Sequence, residues 1–498
     1  MLQNTLQKLT SLNQARLIYR DKIFTNQQLV ARAMLLRDAI LKMQPGDQHI
    51  AFCLPNSPEM LCWLIACFHL GVPVTPIIYE QPAEFIEQVL QLIQPRYFLV
   101  TTEKFKTLAK IKIPVGCQVN VIDETSETIV DATRQPDNIQ ASTISPDKLA
   151  MIIFSSGTSG HMKGIMHSYQ SAYGFIDLLY EVLAATEKLT YLVAQPMGHI
   201  GGIVTTLLAL FKNGTAILLE NFEINQYMQM MQQYQPTHLN LHTPLFYSII
   251  NYPTIDKKSF SRVITSFAGG DDLPADLPEQ YTEKTGAPMQ TGYGMTETGI
   301  VIQNRNPYGK YKGSAGTKLH HSAIELRDEK SNAVPLGAVG EIWVKSPACC
   351  IGYWNMPELN KTTFVDGWFR TGDLAFQDVE HHYWYQGRAS SVIHCGEHIL
   401  YPATIEQVLF HYPLIKAAAV IGVPDEKRSE VPVAFVELKN PNAKNDILQQ
   451  AIQDYVATHF QPWQMPIAIN IVDALPLGLT GKIDREQLKK MWLTKSTL

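Results

Sequence analysis

The chain has 498 residues, 46% of them hydrophobic and 17% charged, with a formal net charge of −5. That length predicts about two to four domains around a large apolar core. The mild acidity and the absence of a Lys/Arg-rich block argue against a nucleic-acid partner, which needs a broad basic face.

The opening MLQNTLQKLTSLNQARLIYRDK holds no apolar run of signal-peptide length. FTNQQLVARAMLLRDAILKM then predicts a helix capped by Thr25. HIAFCL, VPVTPII and RYFLVTT read as strands, with PEMLCWLIACFHL and AEFIEQVLQLIQ as helices between them. The tract 60–78 is long and apolar, but His69, Gly71, Pro73 and Pro76 interrupt it, so no integral membrane segment is expected. LAMIIF at 149–154 predicts a core strand, followed by the glycine-rich loop SSGTSGHMKG. From Ile165 to Ala185, Tyr169, Tyr173, Ile176, Leu179, Tyr180 and Leu183 recur at helical spacing. The loop is therefore expected to join a strand to a helix. TYLVAQP, TAILLE, HLNLHTP and RVITSFAGG read as further strands with helices between them. Such alternation predicts an α/β fold of doubly wound subdomains, their parallel sheets covered on both faces.

From about residue 311 short strands dominate, as in SAIELRD, GEIWVKS and HHYWYQG, and predict a small β-rich subdomain over 311–387. From 388 the order is helix (PATIEQVLFHY), strand (KAAAVIGV), strand (VPVAFVELK), helix (DILQQAIQDYVATHF) and a tail. The expected division is a large domain over 1–387 and a small α+β domain over 388–498. Seven cysteines, odd in number and without a C-x-x-C pair, read as reduced, buried thiols of a cytoplasmic protein. The pairs His320-His321 and His381-His382 lie in strand-like segments, where neighbours point to opposite faces, and read as surface residues.

The loop at 155–164 carries the first chemical signal. Glycines let several backbone N–H groups approach one anion, and a helix N-terminus behind them would add partial positive charge. Ser155, Ser156, Thr158 and Ser159 add hydroxyls around Gly157 and Gly160, and Lys163 adds a full charge. The sum is a polyphosphate cradle. It is not the G-x-x-x-x-G-K-[ST] loop, because Met162 stands five residues after Gly157 and no Ser/Thr follows Lys163. Four more elements follow in order: YGMTET (293–298), WFRTGD (368–373, expected to end a strand), Gly387-Arg388 and PLGLTGKIDR (476–485).

This ordered set resembles the superfamily of adenylate-forming enzymes, which includes acyl- and aryl-CoA synthetases, peptide-synthetase adenylation domains and luciferases. PMGHIGG (196–202), GEIWVKSPACCIGYWNMPE (340–358) and PATIE (402–406) extend the resemblance over nearly the whole chain. It implies that ATP activates a small-molecule carboxylic acid as an acyl-adenylate and that a thiol then displaces AMP. It implies a mobile C-terminal domain, and CoA or a carrier protein's phosphopantetheine as the thiol. By the same resemblance, Ser155–Lys163 would hold the β- and γ-phosphates, Glu297 would bind Mg²⁺, and Thr296 would bond a phosphate oxygen. Gly292 and Tyr293 would line the adenine slot. Asp373 would accept the ribose hydroxyls, with Arg388 beside it, and Lys482 would reach the α-phosphate. His199 would gate the carboxylate, and Gly396 would line a pantetheine tunnel.

The match departs in places. Met162 replaces a usual Pro, and GRASSVI (387–393) places Ser390 and Ser391 where a Lys-Asp hinge is usual. GGDD (269–272) brings Asp271 and Asp272 toward the expected substrate entrance, and His242 stands where an apolar residue is common. These point to a pocket that is not purely apolar. A free-standing acyl-CoA synthetase leads. Loading of a separate acyl carrier protein and a nucleotide-binding protein without catalysis are the alternatives.

Overall fold

The computed structural model describes residues 2–46, 48–122, 143–156, 162–184, 189–270, 273–477 and 483–495. These form two compact units. One comprises Met1–Tyr311, Gly316–Ala323 and Val344–Phe369; the other comprises Lys312–Ala315, Ile324–Trp343 and Arg370–Leu498.

The first unit is layered because its strands are apolar on both faces. Its seven-stranded sheet runs in the order Gly352–Tyr353, Met162–Ser168, Leu149–Ser156, Val74–Pro76, Ile50–Cys53, Tyr97–Thr101, Gln118–Ile122. Along Ile50–Cys53, Ile50 and Phe52 enter one core while Ala51 and Cys53 enter another, as strand alternation requires. The Phe52 face meets the helices Asn26–Met43, Pro58–Leu70, Tyr169–Leu183 and Ile200–Phe211, which also receive Leu17 and Ala216 from a second sheet. The Ala51 face is covered by Phe85, Ile86 and Val89 of the helix Ala83–Ile93.

The second sheet has nine strands in the order Thr317–Lys318, Gly299–Asn304, Met289–Met295, Thr265–Ala268, His238–Leu241, Thr190–Val193, Thr215–Leu218, Arg16–Tyr19, Lys22–Thr25. Its other face packs on the helices Ile224–Tyr234, Thr243–Ile250 and Leu277–Thr285. The predicted doubly wound α/β architecture is thus present as helix, sheet, helix, sheet, helix. The helix Pro58–Leu70 lies in the middle layer with ten buried residues, which explains its all-round apolarity. Among the described residues no helix is long and apolar enough to cross a membrane.

Two local expectations are corrected. Met162–Ser168 is a strand, paired antiparallel to Leu149–Ser156 with Ser155 opposite Lys163. The following helix begins only at Tyr169, where Ser168 accepts the Ser171 N–H at 3.1 Å. The glycine loop therefore connects the two strands of a hairpin, and no helix starts at its end. Ile165 misled the periodicity, because it stands four residues before Tyr169 yet is a buried strand residue. Likewise RTGD does not end a strand, since Trp368–Gln377 continues four residues beyond Asp373.

In the second unit the antiparallel pair Ile415–Asp425 and Ser429–Leu438 is extended by Ile393–Cys395, His398–Leu400 and Ala468–Val472. The helices Pro402–Phe410, Asp446–Ala457 and Arg485–Lys495 accompany it. Residues from Ala323–Arg327, Gly340–Lys345, Trp368–Gln377 and Tyr383–Arg388 supply this unit's β-rich part. All seven cysteines are free. Burial pushes the Cys53 thiol up to about 12 and Cys117 up to about 11.

Candidate active site

In the first unit the strand Met289–Met295 turns into Gly299–Asn304, and Thr296 and Glu297 occupy the turn. Ser346 Oγ donates to the Thr298 carbonyl at 2.6 Å and the Cys350 N–H donates to the Glu297 carbonyl at 2.7 Å, so the segment 346–350 pins this turn. The pairing shifts register between Tyr293 and Gly294, a bulge of the kind that re-aims side chains next to functional sites. Gly292 is a glycine for packing reasons, because a Cβ there would stand 2.4 Å from the Ile302 carbonyl oxygen.

Glu297 is 8% exposed, and its Oε1 accepts the Tyr353 hydroxyl at 3.0 Å. The Nζ of Lys163 lies 5.2 Å from the centroid of the same Tyr353 ring. One tyrosine thus relates the candidate phosphate lysine to the candidate metal carboxylate, its hydroxyl facing one and its ring the other. Tyr353 is itself fixed with Ile165, Cys350 and Phe369 in a small apolar cluster.

His199 caps the helix Ile200–Phe211, its Nδ1 accepting the Gly201 N–H at 3.1 Å. That bond places the proton of the neutral ring on Nε2. Nε2 lies 3.4 Å from Thr296 Oγ1. The loop bearing His199 is held by Asn56, which donates to the Gln195 carbonyl at 2.9 Å and accepts the Met197 N–H at 2.6 Å. Lys163, His199, Thr296 and Glu297 are therefore brought together within one unit.

In the second unit Asp373 is 3% exposed. Its Oδ1 lies 2.7 Å from Arg388 Nε and accepts the Tyr385 hydroxyl at 3.4 Å. Arg388 also donates from Nη1 to the Thr371 carbonyl at 3.1 Å. Antiparallel pairing sets Asp373 opposite Arg388, so the carboxylate is held by a charged and a neutral donor. Ser390 and Ser391 lie in the short turn Ala389–Ser391 that follows. Gly396 has φ +64° between two three-residue strands, and its N–H donates to the Arg428 carbonyl at 2.6 Å. Its left-handed backbone is sufficient reason for glycine. Gly157, Thr158, Ser159, Gly160, Asp271, Asp272 and Lys482 lie outside the described residues, and Ser155 and Ser156 are described by their strand pairing alone.

The family model described as "AMP-binding enzyme" matches residues 8–354, and that of the "AMP-binding enzyme C-terminal domain" matches 404–482. The chain belongs to the AMP-binding enzyme family. It is an AMP-forming ligase of the acid–thiol class. It is 27% identical over 458 residues to a feruloyl-CoA synthase of Amycolatopsis sp, covering 90% of this chain and 89% of that one. It is 28% identical over 480 residues to the 2-succinylbenzoate–CoA ligase of Bacillus subtilis (95% and 94% covered). Among solved structures, ATP-bound MatB from Rhodopseudomonas palustris superposes with a TM-score of 0.88 at 25% identity, covering 99% of each chain. The O-succinylbenzoate Coenzyme A synthetase (MenE) of Bacillus subtilis in complex with AMP gives 0.84 at 26%, covering 98% of each.

In this AMP-binding enzyme the sequence reading missed Tyr353 and Tyr385 as partners of the candidate carboxylates. Tyr353 lies inside the quoted segment GEIWVKSPACCIGYWNMPE, so its signal was present but unassigned. Tyr385 stands in HHYWYQG, where alternation alone says only that it shares a face with Tyr383 and Gly387.

Proposed function

We propose that the chain joins a small organic acid to ATP as an acyl-adenylate and then transfers the acyl group to the thiol of CoA. The observation that carries this reading is the placement of Lys163 and Glu297 against the ring and hydroxyl of one tyrosine, Tyr353.

The physical difficulty of the first step is crowded negative charge. An acid oxygen must approach an α-phosphate already flanked by two others. Fixed donors and cations around it lower that barrier. In this reading Ser155, Ser156, Gly157, Thr158, Ser159, Gly160 and Lys163 hold the β- and γ-phosphates. Thr296 bonds a phosphate oxygen, Gly292 and Tyr293 border the adenine, and Asp373 with Arg388 takes the ribose. The acid oxygen bonds to the α-phosphorus, the bond to the β-phosphate oxygen breaks, and pyrophosphate leaves. Lys482 meets the charge developing there. In the second step the thiol sulfur attacks the acyl carbon, AMP departs with the electron pair, and the thiol proton is released. Gly396 borders the thiol's path.

A single buried carboxylate, Glu297, fits Mg²⁺, which takes one or two carboxylates and fills its other positions with phosphate oxygens and water. When bound, the ion offsets charge on the triphosphate. The residue's own part is to present a carboxylate whose orientation Tyr353 fixes. The seven free thiols support a cytoplasmic setting.

The test is acid-dependent exchange of labelled pyrophosphate into ATP, followed by AMP and thioester release on adding CoA. Lys482→Ala is expected to lower exchange on the order of 10²–10³-fold while sparing conversion of preformed adenylate to thioester. Absence of exchange across a broad acid panel overturns the activity. Thioester formation only with a phosphopantetheine carrier overturns CoA as the acceptor.

A further inference from the structure

Two histidines stand edge to face at the ends of neighbouring parallel strands. Thr190–Val193 leads to His199, and His238–Leu241 leads directly to His242. Their ring centroids are 6.0 Å apart at 79°. His199 offers its Nε2–H toward Thr296, at the reacting end of the site. His242 stands against the same His199 ring. The glycine turn Gly269-Gly270 also borders His242, since a Cβ on Gly270 would stand 3.2 Å from His242 Nδ1. Two buried polar atoms nearby in the chain have no hydrogen-bond partner among the described residues: Gln195 Oε1 and Thr243 Oγ1. Gln195 Oε1 belongs to the same wall, since a Cβ on Gly201, which bonds His199, would lie 2.4 Å from it. Ligands of open α/β sheets bind at the carboxyl ends of the strands, which is where these groups gather.

A pocket for a plain alkyl chain would be lined with apolar side chains, because each polar group buried against hydrocarbon loses its water without recompense. We propose that His242 is a specificity-determining residue, and that the acid carries a second hydrogen-bond-accepting group, a carbonyl or carboxylate, a few carbon atoms from the carboxylate that reacts. His199 meets the reacting end and His242 meets the second group. A site built to hydrogen-bond a substrate group rejects the analogue lacking it far more strongly than a greasy pocket rejects a missing methylene. The inference rests on the ligase reading above and names the substrate class of that site.

The experiment compares succinate, 4-oxopentanoate and pentanoate in pyrophosphate exchange, with calorimetric titration of the same three acids into protein held with a non-hydrolysable ATP analogue. At least one of the two polar acids is expected to exceed pentanoate tenfold or more in kcat/KM and in affinity. Which one does so tells a carboxylate from a neutral carbonyl. His242→Leu is expected to remove that preference, and His242→Asn, which keeps a donor, to retain part of it. Both variants are checked by thermal unfolding, and the ratio between acids rather than absolute activity is read. A wild-type preference for pentanoate, or a ratio unmoved by His242→Leu, overturns the proposal. If exchange fails with every acid but the titrations still show a His242-dependent polar preference, the pocket stands and the ligase reading falls.

Discussion

Arg485 Nη2 lies 2.7 Å from Glu406 Oε1, the same carboxylate oxygen that accepts the Val420 N–H at 2.7 Å. Glu406 is 6% exposed, so the helix Pro402–Phe410 and the strand Ile415–Asp425 grip the residue three positions after Lys482. If Lys482 meets the α-phosphate as proposed, its effect depends on such an anchor nearby in the chain, since a small misplacement of a charge-stabilising donor sacrifices most of its effect. Glu406→Gln keeps an acceptor for Val420 but removes the charge. It is expected to destabilise this unit by about 1–3 kcal/mol. It is also expected to reduce pyrophosphate exchange more than thioester formation from preformed adenylate. Equal loss in the two half-reactions would show that the pair serves the fold alone.

The bond from Tyr353 to Glu297 gives a second expectation. A hydrogen bond to a charged group contributes about 1.5–3 kcal/mol, and the Tyr353 hydroxyl is buried with its acceptor. Tyr353→Phe leaves the ring beside Lys163 in place and removes this donor from the carboxylate. Exchange should fall on the order of tenfold, with a higher Mg²⁺ concentration needed for half-maximal rate. An unchanged Mg²⁺ dependence would separate Glu297 from the metal.

Asp373 faces Arg388 at 2.7 Å. If its carboxylate accepts the ribose hydroxyls, wild-type protein should favour ATP over 2′-deoxy-ATP, because the missing hydroxyl strands a buried acceptor. Asp373→Asn should raise the KM for ATP and shrink that discrimination to near unity. A variant that loses activity but still discriminates fully would assign the ribose to another group.

How much of this was legible in the sequence depended on how far apart the partners lie. The helix Asn26–Met43 was readable because its start signal is local: Thr25 accepts the Gln28 N–H, and the Gln28 side chain accepts the Thr25 N–H. The Thr296–Glu297 turn was readable because glycines, hydroxyl and carboxylate are adjacent. Tyr353 was not, since its bond to Glu297 spans 56 residues and nothing local marks a tyrosine as a carboxylate's partner. Ile393–Cys395 and His398–Leu400 have three residues each, too few for an alternation to register. The hairpin at 149–168 was misread because Ile165 suits both a period of two and a helical spacing, and only pairing with Leu149–Ser156 decides between them.

Three buried histidines predict how the first unit responds to acid. Burial lowers His49 and His238 to about 4, and lowers His167 to about 3 against a small opposing contribution from the Thr296 backbone. Each stays neutral in the native protein while its unfolded counterpart protonates near the ordinary value of about 6.5. Between these limits the unfolded chain binds more protons, so stability is full above about pH 6.5 and is lost as pH falls toward 4. Each group contributes a slope of up to about 1.4 kcal/mol per pH unit. Urea unfolding followed from pH 7 to 4.5 should show the midpoint dropping across that window. His167 packs edge to face on Phe175 and shares a hydrogen bond with Ser171 at 3.2 Å. His167→Gln, which cannot titrate there, should lower stability at pH 7 yet flatten the dependence by one group's share. A slope identical to wild type would mean that His167 reaches water in the native state.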